Sequence, residues 1–227
     1  MLNFFKFLYF SAFLAIGVQE TLAGVIIGGT RVIYDGAKRE ASISVRNAEV
    51  KLPYLMQSWV ENSDAENYRK TAFVITPPLF RLDAGQENIL RIVRTGEPLP
   101  NDRESLYWLN IKSIPASAKT DKNTLQIAFK TRIKLIYRPK GLSNNAIEAY
   151  KNLKFIKHDN ELKVVNPTPY YVAFYSVKVG GHIIEDAGTI GPKGTLIWQL
   201  PAGVYGSVSW QTINDFGGIT PIESKQL

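Results

Sequence analysis

The sequence predicts an all-β protein made of short strands packed as β-sandwiches, and three observations lead to that fold class. Apolar and polar residues alternate with a period of two along much of the chain, and no long segment keeps its apolar residues at helical spacing. Turn residues also interrupt the alternating runs at short intervals. Ala41, Ile43 and Val45 alternate with Ser42, Ser44 and Arg46 after an Asp35-Gly36 turn. Leu90 and Ile92 flank Arg91, and Tyr171, Ala173, Tyr175 and Val177 mark a later strand. Asp83-Ala84-Gly85, Gly180-Gly181, Gly191-Pro192-Lys193-Gly194 and Gly217-Gly218 supply the turns. Evenly spaced short strands of this kind suit sandwiches.

From the N-terminus, Lys6 precedes an apolar run over 7–18, and Thr21-Leu22-Ala23 has the small-large-small pattern of a cleavage site. Residues 1–23 therefore read as an export signal, with the mature chain starting near Gly24. The run is shorter than the roughly 20 apolar residues that a spanning helix needs, so no membrane insertion is expected. About 200 residues remain, enough for one large sandwich or for two of the usual immunoglobulin-like size. The chain has no cysteine. An exported protein without disulfides relies on its apolar cores, and cysteine nucleophiles and thiolate metal sites are excluded. Lysine and arginine outnumber aspartate and glutamate by 27 to 20, but the cations are scattered instead of forming a stripe, so nucleic acid is not an expected partner.

The best boundary follows Tyr137, where Arg138-Pro139-Lys140-Gly141-Leu142-Ser143-Asn144-Asn145 combines a strand-stopping proline, a glycine and polar residues. It divides the mature chain into 24–139 and 140–227, with a possible single helical turn over 146–151. The longest alternating run is 125–137. One face carries Leu125, Ile127, Phe129, Ile133, Leu135 and Tyr137, and the other is largely polar or small. Thirteen residues exceed the usual strand length of roughly five or six, so one half is expected either to lengthen a core strand or to extend past its own domain.

This run and several others resemble the periplasmic chaperones of the chaperone/usher pathway. The matching stretches are Thr30-Arg31-Val32-Ile33-Tyr34-Asp35-Gly36, Leu52-Pro53-Tyr54-Leu55, Ile75-Thr76-Pro77-Pro78, Asp102-Arg103-Glu104-Ser105-Leu106-Tyr107-Trp108-Leu109-Asn110, Ile133-Lys134-Leu135-Ile136-Tyr137-Arg138-Pro139, Asn166-Pro167-Thr168-Pro169-Tyr170-Tyr171 and Ile213-Asn214-Asp215-Phe216-Gly217-Gly218. They occur in the family's order across nearly the whole mature chain. The resemblance implies two immunoglobulin-like sandwiches in an angled, L-shaped arrangement. It also implies a periplasmic location, pilus subunits and the outer-membrane usher as partners, and donor-strand complementation as the mechanism. An unfinished pilin exposes unpaired backbone and an apolar groove, both templates for aggregation, and the donated strand covers both. The short loop over 115–124 matches the branch with a short loop before the donor strand. The resemblance leaves open whether the free chaperone covers that strand by pairing with a second copy.

By the resemblance, Leu125, Ile127 and Phe129 enter the pilin groove. Arg31 and Lys134 match the pair of cations that anchor the pilin's C-terminal carboxylate, a charge-assisted contact that sets the register of the residues paired beyond it. Lys134 has the opposite strand parity to Phe129, so reaching the same cleft is expected to need a bulge or strong twist. Glu104, Arg138 and Asp215 match an interdomain salt-bridge network. A solvated network adds little stability, so its expected role is to fix the angle between domains.

Other functions are weakly supported. His158 and His182 lack metal-ligand spacing, and no Gly-x-Ser-x-Gly or phosphate loop occurs, so neither enzyme activity nor a metal or cofactor is expected. Gly28-Gly29 is expected to give flexibility before the first strand. The chief rival is a secreted adhesin or carbohydrate-binding module that presents Trp59, Trp108, Trp198 or Trp210 to a sugar, although packing into a core is the commoner use of tryptophan.

Overall fold

The computed structural model describes residues 24–64, 70–117, 125–142 and 145–227, so the export signal over 1–23 and most of the 115–124 loop lie outside the described residues. In chain order the first sandwich contains β1 (Val25–Ile27), β2 (Arg31–Asp35), β3 (Glu40–Asn47), β4 (Tyr54–Asn62), β5 (Phe73–Thr76), β6 (Leu79–Leu82), β7 (Glu87–Arg94), β8 (Ser105–Pro115) and β9 (Phe129–Arg138). A 3-10 helix, Ala146–Asn152, falls where a helical turn is expected. The second sandwich contains β10 (Lys154–His158), β11 (Glu161–Val165), β12 (Val172–Val179), β13 (His182–Ile183), β14 (Thr189–Ile190), β15 (Thr195–Gln199), β16 (Val208–Ile213) and β17 (Glu223–Lys225).

The period-two patterns dictate which faces meet. In β3 the buried residues Ile43 and Val45 alternate with solvent-facing partners, and in β7 Leu90 and Ile92 do the same. These close the sheet β1-β3-β7-β5 over the sheet β2-β9-β8-β4-β6. Between the sheets lie Tyr34, Met56, Phe73, Leu109, Leu135 and Tyr137, with the Tyr34 and Phe73 ring centroids 5.1 Å apart. A second, separate core of Phe155, Leu162, Val164, Val177, Ile190 and Trp210 lies between β10-β11-β15 and β13-β12-β16-β17, with β14 also paired to β12. The strand marked by Tyr171, Ala173, Tyr175 and Val177 exists as β12, but a register shift between Phe174 and Ser176 breaks its alternation. That bulge buries Phe174 and leaves Tyr175 exposed.

The chain's first two strands belong to different sheets. β1 pairs antiparallel with β3, whereas β2 pairs with β9 in parallel. Gly28-Gly29 therefore does not precede the first strand, as expected, but forms the crossing between β1 and β2. The Gly28 amide donates to the Ser44 carbonyl at 2.9 Å, and a Cβ there would collide with the Ser44 hydroxyl. Only glycine lets the backbone approach so closely.

Candidate functional site

β9 is shorter than the alternating run that announces it. Its ladder with β8 runs without interruption from Phe129↔Ser113 to Tyr137↔Ser105, while 125–128 extend beyond the sheet. The expectation of a thirteen-residue strand is corrected to ten, because 125–128 have no strand to pair with among the described residues. The two halves of the run differ sharply in burial. Ile133, Leu135 and Tyr137 belong to the first core, whereas Leu125, Ile127 and Phe129 are 88%, 54% and 66% exposed. Leu125 and Ile127 precede β9 and Phe129 opens it, so three large apolar side chains stand exposed in a row.

The opposite edge of β9 is filled only in part. β2 pairs with Lys134 through Arg138, beginning at Arg31↔Lys134, and Phe129 through Ile133 have no strand on that side among the described residues. Arg31 and Lys134 thus sit side by side on the face opposite the core, at the point where the vacant edge ends. Of the bulge or strong twist expected at Lys134, the bulge is absent. Its parity differs from that of Phe129 because the two groups use opposite faces of one regular strand and meet at its edge.

The surroundings of the two cations are electrostatically unfavourable to both. Burial lowers the pKa of Arg31, against a smaller upward pull from Asp215. Burial also lowers Lys134, and the neighbouring Arg31 charge adds to the shift. Arg31 Nη1 donates to the Ile213 carbonyl of the second sandwich at 2.9 Å, while its buried Nε has no protein acceptor. Two adjacent, partly buried cations with donors to spare have the chemistry to hold an anion.

Arg138, at the end of β9, joins the sandwiches. Its Nε donates to Glu104 Oε1 at 2.7 Å, and its two terminal nitrogens donate to the Asp215 carboxylate at 2.7 and 2.9 Å. Glu104 Oε2 accepts the Tyr171 amide at 2.7 Å, and the Glu104 amide donates to the Pro169 carbonyl at 2.9 Å. Asn166 shapes that loop by donating to the Tyr170 and Gly191 carbonyls. The network is buried on its Glu104 side, where that residue is only 3% exposed, while the Asp215 side chain remains 36% exposed. Burial pushes the Glu104 carboxyl up, against the downward pull of Arg138. Desolvation would lower Arg138, but the Asp215 and Glu104 carboxylates outweigh it and hold the guanidinium above its ordinary value. Breaking the buried Arg138–Glu104 pair would strand a charge, which is a cost separate from any net stability the pair adds.

Two further contacts cross the junction through residues to which the sequence assigns no site role. Lys193 Nζ donates to Asp102 Oδ2 at 2.8 Å, and with Arg103 it holds the Asp102 carboxyl down at about 2. The turn after β16 reaches the crossing between β1 and β2. There Gly217 has a φ of +84°, and a Cβ would lie 2.6 Å from the Thr30 hydroxyl. Phe216, between these contacts, is 91% exposed.

The tryptophans are otherwise engaged. Trp210 is buried beside Phe155 and donates to the Tyr150 carbonyl, and Trp198 packs edge-on against Phe174. Trp59 and Trp108 lie under the cations of β9. None of the four offers an open sugar platform.

Fold and site together define an immunoglobulin-like binding protein with a half-vacant strand edge ending at paired cations. Residues 24–143 match the model for the pili and flagellar-assembly chaperone PapD N-terminal domain, and residues 148–224 match the pili assembly chaperone PapD C-terminal domain. The chain belongs to this non-enzymatic family of pilus assembly chaperones. It is 47% identical over 215 residues to the probable fimbrial chaperone LpfB of Escherichia coli O157:H7, covering 92% of this chain and 91% of that one. The chaperone protein FimC of Escherichia coli K12 is 41% identical over 94% of this chain and 88% of its own. Among solved structures, a chain of the Salmonella enterica SafA pilin–SafB chaperone complex superposes with a TM-score of 0.82 at 36% identity, covering 92% of this chain and 99% of that chain. The Escherichia coli chaperone DraB gives 0.79 at 37% identity, covering 90% and 96%.

Proposed function

We propose that the protein works in the periplasm, where it captures unfinished pilus subunits by donor-strand complementation and delivers them to the outer-membrane usher. Its domains span 24–139 and 140–227 once 1–23 is removed. The carrying observation is the division of the β9 edge, with exposed Leu125, Ile127 and Phe129 leading into the vacant stretch and the Arg31–Lys134 pair where β2 takes over. A pilin strand added there with its terminal carboxylate on the two cations must run parallel to β9, just as β2 does. The three apolar side chains then enter the pilin groove. Each contributes roughly 1.5–3 kcal/mol when fully buried, against about 0.5–1.5 kcal/mol net for each backbone hydrogen bond.

Co-expression with the cognate pilin tests this reading. Ile127→Asp should reduce recovered complex on the order of 100-fold, because its carboxylate would be desolvated in an apolar groove. Ala128→Asp, of opposite parity, should be tolerated. Both free proteins should unfold at the parental temperature, since both side chains are exposed. Equal capture by the two variants would refute the donor assignment.

A further inference from the structure

We propose that the outer face of the β2-β9-β8-β4-β6 sheet is a specificity surface that selects pilins carrying acidic side chains on the outward positions of their last strand. The proposal rests on the donor-strand reading and deepens it.

Lys130, Arg132 and Lys134 alternate with Phe129, Thr131 and Ile133 along β9 and point away from the first core. They are held over a tryptophan floor. Lys130 Nζ lies 5.0 Å from the Trp59 ring centroid, Arg132 Cζ 4.5 Å from that of Trp108, and Lys134 Nζ 5.4 Å from the same ring. Glu61 links the row from below. It accepts from the Trp59 indole at 2.7 Å and lies 3.8 Å from Lys130 and 3.4 Å from Arg132. Aromatic stacking and a shared carboxylate restrict these long side chains before any partner arrives, which lowers the entropic cost of using them.

Their position decides what they meet. β2 places Arg31 beside Lys134 on this face, one strand spacing away. A guest strand continuing along the vacant edge places its outward side chains beside Lys130 and Arg132 in the same manner, about 5 Å across the sheet. Between Lys130 and Lys134, Glu61 is the carboxylate that this face offers among the described residues, against the cations Arg31, Lys112, Lys130, Arg132 and Lys134. Opposite charges on facing positions favour pairing and like charges oppose it. The side chains of Lys130 and Arg132 remain 45% exposed, so they are open to a guest.

The test uses the mature protein and two synthetic strand peptides with free C-terminal carboxylates. They share alternating apolar residues and differ only at two outward positions, Asp in one and Lys in the other. Fluorescence anisotropy at low salt should show the Asp peptide binding about ten-fold tighter, an advantage that shrinks in 0.5 M salt. Lys130→Glu/Arg132→Glu should reverse the preference, and Lys130→Gln/Arg132→Gln should erase it. Thermal unfolding checks that both variants are folded. Equal affinity for the peptides in the parent, or a preference that survives charge reversal, overturns this inference alone, because the donor-strand reading is judged separately by capture of whole pilin, whose groove a lone strand lacks. If neither peptide binds, this inference falls by itself, whereas equal capture of whole pilin by Ile127→Asp and Ala128→Asp brings down the donor-strand reading and this inference with it.

Discussion

Lys134 pairs with Arg31 across the β2–β9 ladder, and both cations are partly desolvated. Uncompensated charges so placed work against stability while preparing a binding site. Lys134→Met should therefore leave the thermal midpoint unchanged or raised, and should weaken pilin capture about 10- to 100-fold through the loss of a charge-assisted contact. Titration gives a second signature. The folded-state pKa of Lys134 is depressed, so between that value and the ordinary lysine value the folded chain binds fewer protons than the unfolded one. Stability of the free protein then rises with pH across this window. Capture should move the opposite way, falling as pH climbs through the depressed pKa and the anchor loses its charge. Lys134→Arg should flatten the binding profile, because arginine does not titrate there. A capture profile that stays flat in the parent would remove Lys134 from the anchor.

The strand patterns in β3, β7 and the second half of β9 were legible because a buried face imposes strict alternation. Residues 125–129 share that alternation without sharing the burial, so sequence alone could not separate a core strand from a donor segment. The bulge in β12 was illegible for a related reason, since Val172, Phe174 and Tyr175 all suit a strand and only packing selects which of them turn inward. Burial of Glu104 was equally hidden, because a carboxylate in a polar stretch reads as solvated until the Pro169–Tyr171 loop folds over it. This burial sets the expectation for Arg138→Ala, which leaves the Glu104 charge without its guanidinium. The variant should lose about 3–5 kcal/mol in chemical denaturation. Glu104→Gln/Arg138→Met, which removes both charges, should lose much less. Equal losses would mean that the network contributes little beyond packing.

Across the whole molecule, the two cores are joined by Arg138 to Asp215, Tyr171 to Glu104, Arg31 to Ile213 and Lys193 to Asp102. These contacts are directional and polar, so they specify an orientation more than they glue two surfaces together. Small-angle scattering of Arg138→Ala/Lys193→Met should show a broader range of interdomain arrangements than the parent. The Asp102 pair should also resist acid. Its depressed pKa keeps it ionised as pH falls below the ordinary aspartate range, and its contribution to stability is lost progressively from that range down to about 2. In an NMR titration, Lys193→Met should move the Asp102 transition upward. β2 carries a consequence of another kind. It occupies the upper part of an edge whose lower part is left for a guest, so the boundary between resident and visitor works as a ruler. On the proposed reading, a visiting strand that entered one residue too far would collide with β2 at Arg31, and one that stopped short would leave two charges unanswered. Register would then be set by where β2 begins and by the two side chains at that point.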